Sequence, residues 1–183
     1  MQFAALPIPD VILFTPTFFG DERGFFYESF NARVFEKATG QVAPIFVQNN
    51  HSRSTRGVLR GLHYQLEPFA QGKLVRVVSG KVFDVAVDIR PASPTFGRWT
   101  GHELSAENRL QLWIPAGFAH GFVTLSESAE FLYQTDGFYS PEHERCIAWN
   151  DPDIGVDWHY AETPQLSAKD LQGAALAKAE VFE

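Results

Sequence analysis

A single cysteine, Cys146, stands among the 183 residues. No internal disulfide can form, and nothing in the sequence asks for an oxidising compartment. Long apolar runs are missing too, since none approaches the ~20 residues of a bilayer-crossing helix. The opening residues lack a basic n-region, and Pro7, Pro9 and Asp10 interrupt any apolar h-region. The expectation is a cytoplasmic protein without a membrane partner. Positive charge is scarce: the net charge is −7. Nucleic acid needs a positive surface, so it is excluded as the main partner. Repeats, low-complexity tracts and linkers are also lacking, and the chain reads as one domain over 1–183.

Aromatic residues are plentiful, with 17 Phe, 5 Tyr and 4 Trp, which suits strands and a barrel interior. Strand-like runs with turn punctuation dominate. One run covers 74–78 and leads through Ser79-Gly80 into a second over 81–89. In the second, Phe83, Val85, Val87 and Ile89 share one face and Asp84 and Asp88 the other, a pattern that predicts a half-buried hairpin. Further strands are expected near 98–104, 109–114, 121–125 and 130–135, each bounded by Gly, Pro, Asn or Ser. Short strands at regular spacing indicate a sandwich or jelly-roll barrel. Helical signals are few. Segment 31–40 has Asn31 as N-cap and Gly40 as C-terminal stop. Ser167 to Asp170 reads as a capping box before Leu171, Ala174, Ala175 and Leu176. The expected fold is mainly β, a jelly-roll barrel with short flanking helices and a C-terminal helical tail.

Charge is unevenly spread. Between His51 and Lys81 lie Arg53, Arg56, Arg60, Lys73 and Arg76, against Glu67 as the one acid. Such a patch suits a small anion such as a diphosphate, or equally a solvated strand face. The segment 47–65 carries polar groups where a structural strand would carry apolar ones, and Pro115 to His120 follows downstream. Gly57 with His63-Tyr64-Gln65, and Pro115-Ala-Gly-Phe-Ala-His120, resemble the two cupin motifs. Metal-binding cupins have His-x-His and then Glu. Here Gln65 replaces the second histidine, and Phe69 and Ala70 offer no carboxylate. Two imidazoles without another good ligand suit a transition metal poorly, so no catalytic metal is expected. That frees His63 for acid–base work near neutral pH, though a core histidine satisfied by backbone has the same local pattern. Lys73 faces an oxyanion or solvent, Tyr133 delivers a proton or packs as an aromatic, and Asp170 orients His63 or caps a helix. Spacing alone decides none of these.

Longer motifs go further. Phe19 to Phe30, Arg60-Gly-Leu-His-Tyr-Gln65, Pro115 to His120, Trp149 to Gly155 and Leu166 to Asp170 together resemble the dTDP-4-dehydrorhamnose 3,5-epimerase family, in order and over nearly the whole chain. The resemblance implies a metal-free, cofactor-free homodimeric cupin acting on dTDP-4-dehydro-6-deoxy-glucose. It implies His63 as base, Asp170 as its partner, Tyr133 as acid on the opposite face and Lys73 beside the enolate oxygen. Arg23, Glu28, Gln48, Asn50, Arg60, His120, Glu144 and Lys169 match substrate-contacting positions, and Tyr139 matches the aromatic that stacks on thymine. Asn49 stands among them where the family usually has Asp, without that charge. Arg23 and Glu28 are expected to reach the partner subunit's site. The chemistry is coherent, because C3 and C5 both flank the C4 ketone and their protons are acidified by enolate formation.

Overall fold

The computed structural model describes residues 1–182; Glu183, the last residue of the expected 1–183 unit, lies outside them. Its strands are β1 (Gln2–Ala5), β2 (Ile12–Thr15), β3 (Phe18–Asp21), β4 (Gly24–Tyr27), β5 (Gln48–Thr55), β6 (Leu59–Gln65) and β7 (Lys73–Ser79). They continue as β8 (Lys81–Asp88), β9 (Trp99–Ser105), β10 (Gln111–Ile114), β11 (Phe118–Thr124), β12 (Ser128–Thr135) and β13 (Glu144–Cys146). One α-helix, α1 (Ala32–Thr39), sits between β4 and β5.

Two antiparallel sheets make the barrel. One is six-stranded in the order β1-β2-β10-β7-β12-β5, the other five-stranded in the order β13-β6-β11-β8-β9. A separate hairpin, β3–β4, stands apart from both. This is the jelly-roll architecture that the strand spacing predicts.

Alternation along each strand decides where side chains go. Val75, Val77, Val82, Ala86, Leu112 and Phe131 point between the sheets and form the inner core. Their neighbours one residue along point outward. On the five-stranded sheet Leu62, Tyr64, Phe83, Val85 and Val87 meet Ile154, Trp158 and Leu176 from the C-terminal segment. On the six-stranded sheet Ile12, Phe14, Leu74 and Trp113 are covered by Phe35 of α1. That helix matches its sequence signals. The Asn31 side chain accepts from the Val34 amide, and Gly40 closes it at φ 71°.

Two expectations change. The runs over β7 and β8 are not a hairpin: β7 pairs with β10 and β12, whereas β8 pairs with β11 and β9. At Gly80 (φ 71°) the chain crosses from one sheet to the other. A Cβ there would meet the Ser128 carbonyl oxygen at 2.0 Å, so a side chain is not accommodated. Because both faces of β8 are covered, Asp84 and Asp88 are 0% exposed rather than solvent-facing. The C-terminal helical tail is reduced to two single 3-10 turns, Asp170–Gln172 and Leu176–Lys178. The backbone there is spent elsewhere: the Ala174 amide and carbonyl bond to Cys146 and Ala148, across the edge of the sheet.

Candidate active site

A pocket of about 480 Å³ opens inside the barrel, walled by β5, β7 and β12 on one side and β6 and β11 on the other. His63 and His120 are cross-strand partners on β6 and β11. The pairing carries a bulge: from His120 to Phe122 is two steps, but the matching span from His63 to Arg60 is three. The extra residue resets the alternation. Arg60 and His63 therefore both face the pocket, while Leu59 and Leu62 join the outer apolar layer. Gly61 permits the bulge. Its φ is 130°, and a Cβ would lie 2.6 Å from the Gly121 Cα. Its freed amide donates to Asp170 Oδ1 at 3.0 Å.

Asp170 is thus tied down from both sides. His63 Nε2 donates to its Oδ1 at 2.7 Å, while the Ser167 hydroxyl and amide donate to Oδ2 at 2.6 and 3.2 Å. Burial pushes this carboxyl upward, but the bonds from His63, Ser167 and Gly61 outweigh it and hold it well below the usual carboxylate range. With Nε2–H committed to Asp170, the lone pair of a neutral ring sits on Nδ1. Nδ1 has no hydrogen-bond partner among the described residues, and Glu144 Oε1 lies 3.5 Å away.

Across the barrel stand Lys73 and Tyr133. Lys73 Nζ donates to the His63 carbonyl at 3.3 Å. Burial pushes its ammonium down to about 8, against the pull of the Glu144 and Asp84 carboxylates. Tyr133 is half-buried beside Phe131, and burial raises its hydroxyl above the ordinary value of 10.0. Near the mouth, the Tyr139 hydroxyl donates to Glu144 Oε2 at 2.6 Å, and Lys169 donates to the same oxygen. Glu144 is pushed up by burial but held lower, on balance, by those two bonds and by His63. Gln48 accepts from the Tyr139 amide at 3.0 Å and donates to Asn50 at 2.9 Å. Tyr139 is 48% exposed, and an exposed aromatic suits stacking.

The pocket therefore gathers His63, Tyr133, Asp170, Lys73, Gln48, Asn50, Arg60, His120, Tyr139, Glu144 and Lys169. Three expected residues are not among them. Asn49 alternates to the opposite face of β5 and lines a separate depression beside Arg76, because a strand cannot turn three successive side chains to one side. Arg23 lies on the β3–β4 hairpin, bonded to Asp21 with its side chain 84% exposed. Glu28 follows that hairpin and accepts from Asn31 at 3.1 Å. Sequence reasoning missed Ser167 and Asp84 as site groups. Asp84 accepts from His120 Nε2 at 2.9 Å inside the barrel, and its signal was an acid placed in step with Val82 and Ala86.

His63, Cys146 and Asp170 bring three donor atoms within 4.8 Å of one another. They do not fit a metal as arranged. Burial pushes the Cys146 thiol up to about 12, so it holds its proton. His63 Nε2 and Asp170 Oδ1 are 2.7 Å apart and bonded to each other, closer than the roughly 3.3 Å between two ligands of one tetrahedral zinc. Gln65, at the position where metal cupins carry histidine, is used structurally. Its amide donates to the Phe69 and Phe138 carbonyls at 2.6 and 3.1 Å and accepts from the Ser140 amide at 2.7 Å.

Comparison with known proteins agrees with this fold. The family model for dTDP-4-dehydrorhamnose 3,5-epimerase matches residues 5–178. An enzyme of that name from Pseudomonas aeruginosa is 64% identical over 182 residues, spanning 100% of this chain and 99% of the relative. One from Shigella flexneri is 62% identical over the same length, with coverage of 100% and 99%. The crystal structure of the 3,5-epimerase of Legionella pneumophila, in complex with dTDP-4-keto-L-rhamnose, superposes with a TM-score of 0.93. It is 50% identical, over 98% of this chain and 94% of that one.

Proposed function

The chain belongs to the dTDP-4-dehydrorhamnose 3,5-epimerase family, and from that membership we propose how its own residues carry the reaction. The protein inverts C3 and C5 of dTDP-4-dehydro-6-deoxy-D-glucose to give dTDP-4-dehydro-L-rhamnose, in dTDP-L-rhamnose biosynthesis. The observation that carries the residue assignment is the 2.7 Å bond from His63 to Asp170, facing Lys73 and Tyr133 in one cavity.

His63 takes the proton from a carbon beside the ketone, and the proton lands on Nδ1. Asp170 stabilises the imidazolium that forms and fixes the ring, as the buried aspartate does in hydrolase triads. Negative charge moves onto the C4 oxygen, where the Lys73 ammonium stabilises the enolate electrostatically. Inversion then requires a proton from the other face. Tyr133 is on β12 of the six-stranded sheet while His63 is on β6 of the five-stranded one, so the two approach a sugar held between them from opposite sides. Arg60, Lys169 and His120 suit the diphosphate and sugar oxygens, and Tyr139 offers its exposed ring to thymine.

Arg23 and Glu28 complete the pocket of a second subunit. Supporting this, Phe19, Phe25 and Phe26 on the same hairpin are 62%, 66% and 71% exposed, an apolar patch that a partner copy would cover. Sedimentation should give twice the chain mass, and Arg23→Ala should raise KM without dissociating the dimer.

Proton–deuterium exchange at C3 and C5 in deuterated water tests the assignment. Wild type should label both carbons. His63→Ala should lose exchange by at least the ~10²–10⁴-fold that a general base supplies, and Tyr133→Phe should keep exchange while losing inversion. Full exchange by His63→Ala would remove that residue from the mechanism.

A further inference from the structure

The acid–base scheme leaves a carboxyl group inside the barrel without a task. Asp84 lies in β8, between Phe83 and Val85, and is 0% exposed. Alternation turns it inward with Val82 and Ala86. An isolated carboxylate there is strongly destabilising unless paired, and a hydrophobic residue would fill the position at lower cost. Its Oδ2 accepts from His120 Nε2 at 2.9 Å, while its Oδ1 is buried with no hydrogen-bond partner among the described residues. His120 sits two residues off the register partner of Asp84 (Phe122), a diagonal neighbour on the same inner face. The other His120 nitrogen makes no hydrogen bond with the described residues, and the ring lines the pocket over Phe131.

We propose that Asp84 is a positioning residue of this reaction: one oxygen fixes the His120 ring toward the sugar, and its negative charge holds the Lys73 ammonium at the ketone. The proposal rests on the functional reading above. Lys73 is the most desolvated cation in the pocket, and two carboxylates favour its charge, Glu144 from β13 and Asp84 from β8. The other titratable groups walling the same cavity are His63, His120, Tyr133, Arg60 and Asp170. Glu144 is already shared among Lys169, Tyr139 and His63, whereas Asp84 has only His120 besides Lys73. Burial raises the Asp84 carboxyl, and the His120 and Lys73 charges oppose that rise. On balance burial still raises the Asp84 carboxyl, and its ionised form favours the Lys73 ammonium, so removing the anion discharges the lysine at lower pH.

The test compares wild type, Asp84→Asn and Asp84→Glu by kcat, KM and the pH profile, with folding checked by circular dichroism. Asp84→Asn should lower kcat by about 10- to 100-fold, the scale of a misplaced catalytic contact, with KM changed less. It should also move the alkaline limb of kcat to lower pH, because Lys73 loses a favourable neighbour. Asp84→Glu retains the charge but displaces it, so the limb should stay while kcat falls. Wild-type kcat in either variant overturns the proposal, and so does a slowed Asp84→Asn enzyme whose alkaline limb has not moved. Should Asp84→Asn fail to fold, Asp84→Glu decides alone by the same two readouts. A wild-type protein unable to exchange C3 or C5 protons would instead overturn the functional reading.

Discussion

Replacing Asp170 with Asn is the sharpest probe of the site, because the change keeps the shape and removes the charge. Asp170 accepts four hydrogen bonds: from Gly61 and His63 on Oδ1, and from the hydroxyl and amide of Ser167 on Oδ2. An amide in its place has one acceptor oxygen. If its nitrogen faces β6, it meets the Gly61 amide donor to donor and forces His63 into the wrong tautomer. If it faces Ser167, it opposes the Ser167 amide. Either orientation removes the anion that stabilises an imidazolium. Hydrogen bonds to charged groups contribute about 1.5–3 kcal/mol each, and a factor of ten in rate is about 1.4 kcal/mol. Loss of one such bond at the transition state lowers kcat roughly 10–100-fold, and a forced tautomer up to about 10⁴-fold. Deuterium exchange at C3 and C5 measures this directly, and both positions should slow together because one base serves both. The same bonds set a pH signature. Their grip depresses the folded-state value below the ordinary 3.8, so the stability they supply is fully present above that value. It is lost as pH falls through the lower folded value. The gap in melting temperature between wild type and Asp170→Asn should be open at pH 7 and should close in strong acid. A variant within threefold of wild-type kcat, or a gap independent of pH, would refute the reasoning.

Other expectations follow from single distances. If Lys73 acts as the cation proposed above, its value of about 8 makes kcat decline as pH rises through about 8, and Lys73→Met should remove that limb along with most activity. Gly61→Ala places a Cβ 2.6 Å from the Gly121 Cα with φ at 130°. It should yield little folded protein, seen as loss of the cooperative melt. Phe35→Ala empties the 2%-exposed centre of the layer under α1, which costs about 3–5 kcal/mol by denaturant melt. Because that layer lies outside the barrel, kcat of the folded fraction should be unchanged.

Much of the barrel could be read from alternation, since inward and outward positions along β7, β11 and β12 are set by a period of two. Helix α1 was legible because Asn31 and Gly40 mark both ends. What alternation cannot tell is which sheet a strand joins. The segment around Gly80 has the residues of a tight turn, yet the chain there crosses the barrel, and that crossing is what buries Asp84. The bulge at Gly61 was equally hidden. Read as regular, β6 would turn Arg60 and His63 to opposite faces, and only the pairing with β11 reveals that both look inward. At Asp170 the sequence leaves two readings open, a helix cap and a partner for His63. One carboxylate oxygen bonds His63 and the other Ser167, but the turn that follows is a single 3-10 turn with no side-chain cap bond, so the helix-cap reading does not hold.

Gln65 carries a consequence for how this barrel can change. By clasping the Phe69, Phe138 and Ser140 backbones, it anchors the loop that presents Tyr139. A Gln65→His substitution, the first step toward an ion-binding version of the scaffold, would unfasten the loop that carries the platform proposed for thymine before any ion was held.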